Sequence, residues 1–188
     1  PFEADSLNFV IANNKFSDTL TVKLRKKKLD SLVMKSSTKN ILHFRDTFFL
    51  TSNNPIVKID TSRVSFFNKD TIAINYNTIP SKKENKVGFI FDKKPKEKYL
   101  FTALPGAFND VFSVKNDTLK YSFSTKEIDD YGRITLKVNN INSKNLIIEL
   151  LSGKKQDKVI ERQFTATSKG IVFDLLQPKK YTIRVIID

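Results

Sequence analysis

The segment YLFTALPGAFNDVFSVKNDTLKYSFSTK, Tyr99 to Lys126, decides the fold class. Tyr99 to Ala103 reads as an extended, Tyr-containing strand, Pro105-Gly106 marks a turn, Asn109-Asp110 marks a short loop, and Leu119, Tyr121 and Phe123 alternate with Lys120 and Ser122 into a closing Phe-Ser-Thr-Lys. A period of two is the signature of a half-buried strand, and Pro-Gly and Asn-Asp are turn formers, so the segment predicts strand, turn, loop and strand.

The same period recurs on either side. Leu20, Val22 and Leu24 alternate with Thr19, Thr21 and Lys23; Ile72, Ile74 and Tyr76 with Thr71, Ala73 and Asn75; Ile134, Leu136 and Val138 with Arg133, Thr135 and Lys137; Tyr181, Ile183, Val185 and Ile187 with Thr182 and Arg184. Helical periodicity is almost nowhere found. An all-β chain of tandem antiparallel sandwiches is predicted.

The 188 residues suit one large or two small domains, and 16 Phe within a 39% hydrophobic share suffice for packed cores. With no Cys, disulfides, Cys-based zinc sites and thiol nucleophiles are excluded. No run approaches the roughly 18 apolar residues of a membrane helix. The chain opens mid-pattern at Pro1-Phe2, which is read as a piece of something longer.

Three sections follow. Residues 1–27 form a strand pair, Leu7 to Ile11 and Thr19 to Arg25, expected to complete a preceding β domain because a lone hairpin is marginal in water. Residues 28–126 form the first sandwich, 127–132 a linker broken by Asp129, Asp130 and Gly132, and 133–188 a second sandwich.

The formal net charge of +13 invites an acidic partner, but most lysines sit on polar strand positions, where a solvated outer face explains them. The dense cluster Lys23, Arg25, Lys26, Lys27 and Lys28 is the candidate basic contact patch. Alternating Phe and Lys could suggest base stacking, yet Phe44, Phe89, Phe91, Phe101, Phe123 and Phe173 fall in register with aliphatic core positions, so no nucleic acid is expected.

No catalytic, cofactor or metal site is expected. The single histidine, His43, reads as a surface residue on a strand, without a second His or Cys to share a metal. Asp129-Asp130 are neighbours that would point to opposite faces of a strand, and no Gly-rich phosphate loop is present. Asp followed by Ser or Thr and an aliphatic residue occurs at Ser6, Thr19, Ser31, Thr71 and Thr118, where average composition gives about one such triplet. Strand-opening turns explain part of this. Asn116-Asp117-Thr118 also fits an N-linked acceptor pattern and is discounted as coincidence.

Several stretches resemble known families. Pro105-Gly106-Ala107-Phe108-Asn109-Asp110 with the closing Phe123-Ser124-Thr125, and Phe48 to Phe67 with its Pro55-Ile56 and Asp60-Thr61-Ser62, resemble the bacterial Ig-like domain of the surface-layer (SbsA) type. The ending FDLLQPKKYTIRVIID resembles the close of prealbumin-like, carboxypeptidase-regulatory-type sandwiches, with Lys179 or Lys180 where those have Gly. Together the chain resembles the C-terminal part of multi-domain Ig-like lipoproteins of Bacteroidota.

That resemblance implies a non-enzymatic, exported protein attached to the outer membrane by a lipid anchor outside this chain. It would be periplasmic or at the cell surface and act as a scaffold for other envelope proteins, without small-molecule substrate or cofactor. It also implies O-glycosylation of the Asp-Ser/Thr sites, and an Asp/Asn/Gly-rich loop, suited to calcium, following Asp188. A glycan- or anionic-polymer-binding surface module is the alternative. That alternative needs exposed aromatics, whereas Tyr76, Tyr99 and Tyr121 read as inward.

Overall fold

The computed structural model describes residues 4–24, 30–81, 85–139, 145–153, 155, 157–168 and 170–187. The strands are β1 (Ser6–Asn13), β2 (Phe16–Lys23), β3 (Met34–Ser36), β4 (Phe48–Ser52), β5 (Ile56–Ile59), β6 (Val64–Asn68), β7 (Tyr76–Ser81) and β8 (Lys86–Phe91). They continue as β9 (Lys98–Ala103), β10 (Phe108–Asp110), β11 (Leu119–Ser124), β12 (Gly132–Lys137), β13 (Leu146–Ser152), β14 (Lys158–Thr165), β15 (Gly170–Leu176) and β16 (Thr182–Ile187). The chain is all-β: the only helical turns among the described residues are short 3₁₀ turns at Thr61–Arg63 and Ile128–Asp130.

The sheet orders are β1-β2, β10-β5, β11-β9-β6, β3-β4-β8-β7, β12-β15 and β14-β13-β16. Antiparallel ladders run throughout the pairs β1/β2, β3/β4, β4/β8, β7/β8, β5/β10, β12/β15, β13/β14 and β13/β16. Two compact units result, both discontinuous in sequence: residues 1–37, 48–91 and 100–122, and residues 38–47, 92–99 and 123–188.

The first unit has two layers. Phe48 and Phe89 from β4 and β8 meet Phe66 and Phe101 from β6 and β9; the Phe101 centroid lies 5.3 Å from Phe48, 5.7 Å from Phe66 and 4.8 Å from Phe89. Edge-to-face contacts of this kind add to what burial alone contributes. On the outer side of the same sheet Phe49 stands opposite Gly88. A Cβ at Gly88 would lie 2.7 Å from the Phe49 ring, so the absence of a side chain there lets the ring lie across the strand.

Hydrogen-bonded loops close this unit. Gly106, at φ +83°, turns the chain after Pro105, and Ala107 and Phe108 are fully buried behind it. Asp110 is buried and its Oδ1 accepts from the backbone N–H groups of Phe112 (2.9 Å) and Val114 (2.8 Å), while Oδ2 accepts from Asn54 Nδ2 (2.7 Å). Asn116, also buried, accepts from Phe108 N–H and donates to the carbonyls of Leu104 and Asp117. This side chain is consumed by the fold, in keeping with discounting it as an acceptor.

Residues 71–76 do not form the strand that their alternation predicts; β7 starts only at Tyr76. The cause is Asn68, whose Oδ1 accepts from the N–H groups of Asp70 (3.0 Å) and Ile72 (2.8 Å). The side chain folds the backbone into a turn that leaves only an isolated Phe67–Ala73 bridge.

The second unit packs β12-β15 against β14-β13-β16 around Leu146, Ile148, Leu150, Ile171, Phe173 and Leu176. His43 belongs to this unit and corrects the strand assignment: it lies outside the strands, half-buried, with Nδ1 3.1 Å from the Tyr131 hydroxyl. Phe44, expected in a core, is half-buried with its ring edge-on to Tyr131. Residues 127–132 hold a 3₁₀ turn, with Glu127 N–H donating to Asp130 Oδ2.

Candidate functional site

The five candidate acceptor hydroxyls, Ser6, Thr19, Ser31, Thr71 and Thr118, belong to exposed residues. Register places Ser6 and Thr19 on the same, polar face of the β1-β2 hairpin. Thr71 has φ +61°, a left-handed conformation costing about 1–2 kcal/mol for a residue with a Cβ. The Asn68 turn holds it there, at an exposed turn tip.

Of the candidate basic patch, Lys23 ends β2 in an exposed position; Arg25, Lys26, Lys27 and Lys28 lie outside the described residues. The described arginines are all engaged with acidic side chains. Arg45 pairs with Glu161, Arg63 with Asp60, Arg133 with Asp174, and Arg162 and Arg184 both with Glu149. The positive field therefore comes chiefly from the lysines, which are strongly hydrated point charges rather than a forked recognition surface.

The hairpin carries the first interaction surface. Its register places Leu7, Phe9 and Ile11 of β1 on one face with Phe16, Leu20 and Val22 of β2. Every residue of both strands is exposed, Phe9 at 49% and Phe16 at 56%. Cross-strand apolar pairs of this kind stabilise a sheet when something covers them.

The second surface is the outer face of β14-β13-β16, which sequence reading missed. Glu149 sits in the apolar run Leu146 to Leu151, and the signal lay in its parity, opposite to the core positions Ile148 and Leu150. Ladder register brings Arg162 and Arg184 to either side of it. Arg162 Nε donates to Oε1 at 2.5 Å and Arg184 Nε to Oε2 at 2.6 Å, with Arg184 Nη2 also on Oε2. The two guanidinium groups cover the carboxylate, leaving it 1% exposed. Phe164, two residues along β14 from Arg162, stands 74% exposed in the next row.

The bond from Arg162, then that from Arg184, holds the Glu149 carboxyl below the ordinary glutamate value of about 4.3. A depressed folded value contributes stability above that ordinary value, and the contribution is lost as pH falls through the folded one. Glu149→Gln is therefore expected to unfold more easily at neutral pH. The gap to the parent protein should begin to close as pH falls below that ordinary value and go on closing until the folded carboxyl is itself protonated. Urea midpoints across that range measure it, and a gap that stays constant would remove the charge-based account. Asp174 and Asp60 are depressed too and retain their slopes in both proteins.

Two shallow depressions lie on the described surface. One, of about 320 Å³, is lined by Asn145, Leu146, Ile147, Phe164, Thr165 and Ala166; the other, of about 390 Å³, by Thr61 and Ile74 to Thr78. Neither gathers convergent acids and bases, and the described residues hold no group of three His, Cys, Asp or Glu able to share a metal ion. Tyr99 is fully buried, and Tyr76 and Tyr121 are half-buried among phenylalanines, where burial pushes their phenols up.

No protein-family model and no curated protein matches the chain. Among solved structures it is similar to native alpha-2-macroglobulin from Escherichia coli, spanning domains MG0-NIE-MG1. The two share 10% identity, with 84% of this chain and 59% of that chain covered, at a TM-score of 0.43. The chain thus spans less than two thirds of that structure, and a likeness of this depth says nothing about activity.

Proposed function

We propose that this chain is a non-enzymatic scaffold of the bacterial envelope, of the SbsA-type Ig-like lipoprotein kind, presenting apolar strand surfaces to other envelope proteins. The observation that carries the reading is the hairpin. Leu7, Phe9, Ile11, Phe16, Leu20 and Val22 share one face and all are exposed. Soluble proteins seldom leave such a contiguous patch uncovered unless something docks on it.

Export to the outer membrane or cell surface, and attachment by a lipid outside this chain, belong to the same proposal and rest on the family resemblance. So does sugar on the Asp-Ser/Thr sites, which the exposure of all five residues permits. No helix among the described residues is long and apolar enough to cross a membrane.

The test is native mass spectrometry of the full-length protein, extracted gently in detergent from its own membranes. A defined complex with other envelope proteins is expected, with any sugar appearing as excess mass. A lone protomer with no co-purifying protein would overturn the scaffold reading.

A further inference from the structure

The two edges of the sheet β14-β13-β16 are built differently. On β14, register aligns Glu161 and Gln163 with the core residues Leu150 and Ile148, so the edge carries polar side chains on its inner side. Glu161 pairs with Arg45, Gln163 donates to the Val172 carbonyl, and a register shift interrupts the ladder at Leu150/Leu151. Inward-facing charge and bulges are the devices by which natural sheets block edge pairing. β16 has neither. Its inner-side positions Ile183, Val185 and Ile187 face Leu150, Ile148 and Leu146 in register, and all three are aliphatic. Val185 is nevertheless 51% and Ile187 62% exposed.

We propose that β16 pairs antiparallel with β16 of a second copy of this chain, joining two three-stranded sheets into one of six strands about a twofold axis. The side chains select the register. Residues directly opposed across an antiparallel pair lie on the same face, so the two cores stay on one side only if odd-numbered residues oppose odd-numbered ones. That requires the axis to pass through a residue. An axis at Arg184 would set two arginines face to face, which is destabilising. An axis at Ile186 shortens the apolar overlap. With the axis at Val185, Val185 meets the second copy's Val185, Ile183 meets its Ile187, and Arg184 meets its Ile186.

The edge presents aliphatic side chains at three alternate inner positions, so a strand that continues the same core must be aliphatic at alternate positions too. β16 is such a strand. The isologous pairing covers Val185 and Ile187, and Arg184 keeps its bonds to Glu149. With a net charge of +13, two copies repel at long range, and salt screens that repulsion. Association is therefore expected to strengthen with ionic strength, whereas capture of an anionic strand would weaken. The proposal is independent of the envelope reading, because it concerns the purified chain alone.

The chain has no cysteine, so single-cysteine variants give clean cross-links. Under mild oxidation Val185→Cys is expected to form a disulfide dimer readily. Ile187→Cys alone should not, but should link to Ile183→Cys when the two variants are mixed. Light scattering of the unmodified chain should show the mass doubling with concentration. Val185→Lys should remain at the monomer mass with an unchanged circular dichroism spectrum. A monomer mass at every concentration and salt level, equal self-linking at positions 185 and 187, or a dimer that survives in a folded Val185→Lys would each overturn the proposal. If Val185→Lys does not fold, the cross-linking pattern decides alone.

Discussion

Phe101→Ala is expected to cost about 4 kcal/mol of unfolding free energy. Phe101 is fully buried and touches Phe48, Phe66 and Phe89, three rings supplied by strands of both layers. Truncation removes the apolar surface that the ring withdraws from water. It also leaves a cavity that three rigid aromatic neighbours cannot readily fill, because their positions are fixed by their own strands. Phe9→Ala in the hairpin is the matching control. Phe9 is half exposed, and its loss should stay within about 0.5 kcal/mol. Urea denaturation followed by circular dichroism compares the two. A loss below about 1 kcal/mol for Phe101→Ala would mean that the layers repack around the gap.

Asp110→Ala is expected to cost about 3 kcal/mol. Its carboxylate terminates the N–H groups of Phe112 and Val114 and the amide of Asn54, and charged acceptors make the stronger hydrogen bonds. It also holds Ser113, whose φ of +65° is a left-handed conformation. With the carboxylate gone, the loop has two backbone donors without an acceptor and a strained residue without a clamp. Asp110→Asn retains one carbonyl oxygen for those N–H groups, and the Asn54 amide can rotate to offer its own oxygen. A loss of about 1 kcal/mol is expected for it. Urea midpoints of both variants measure the ordering, and an equal loss would assign the effect to packing rather than to the hydrogen bonds.

What was legible in the sequence depended on how far apart the interacting residues are. β11, β12 and β16 appear where Leu119 to Phe123, Ile134 to Leu136 and Ile183 to Ile187 alternate, because half-burial imposes a period of two on the strand itself. The alternation of residues 71–76 misled because it reports only apolar spacing. The competing bonds come from Asn68, whose side chain takes two backbone donors before a ladder can form. The alternation around His43 misleads for the same reason, since its partner Tyr131 is remote in sequence.

Site residues divide in the same way. The Asp-Ser/Thr candidates form a motif local in sequence, legible without the fold, and all five residues are exposed. Glu149 was invisible as a site because its two arginines arrive from β14 and β16, and only the ladder register reveals that they converge. The compact units were unreadable too. Leu42 N–H donates to the Ser124 carbonyl and Thr125 Oγ1 bonds the Lys94 carbonyl, joining stretches that no composition shift marks.

The bare backbone at Gly88 beneath the ring of Phe49 ties the histories of two positions together. No side chain can be acquired at 88 while 49 keeps its ring in place, since even a methyl group would meet it at 2.7 Å. A side chain at position 88 therefore requires the ring at position 49 to swing aside or to be replaced by a smaller group. In any set of descendants the two columns should vary as a pair, because they face each other across the ladder.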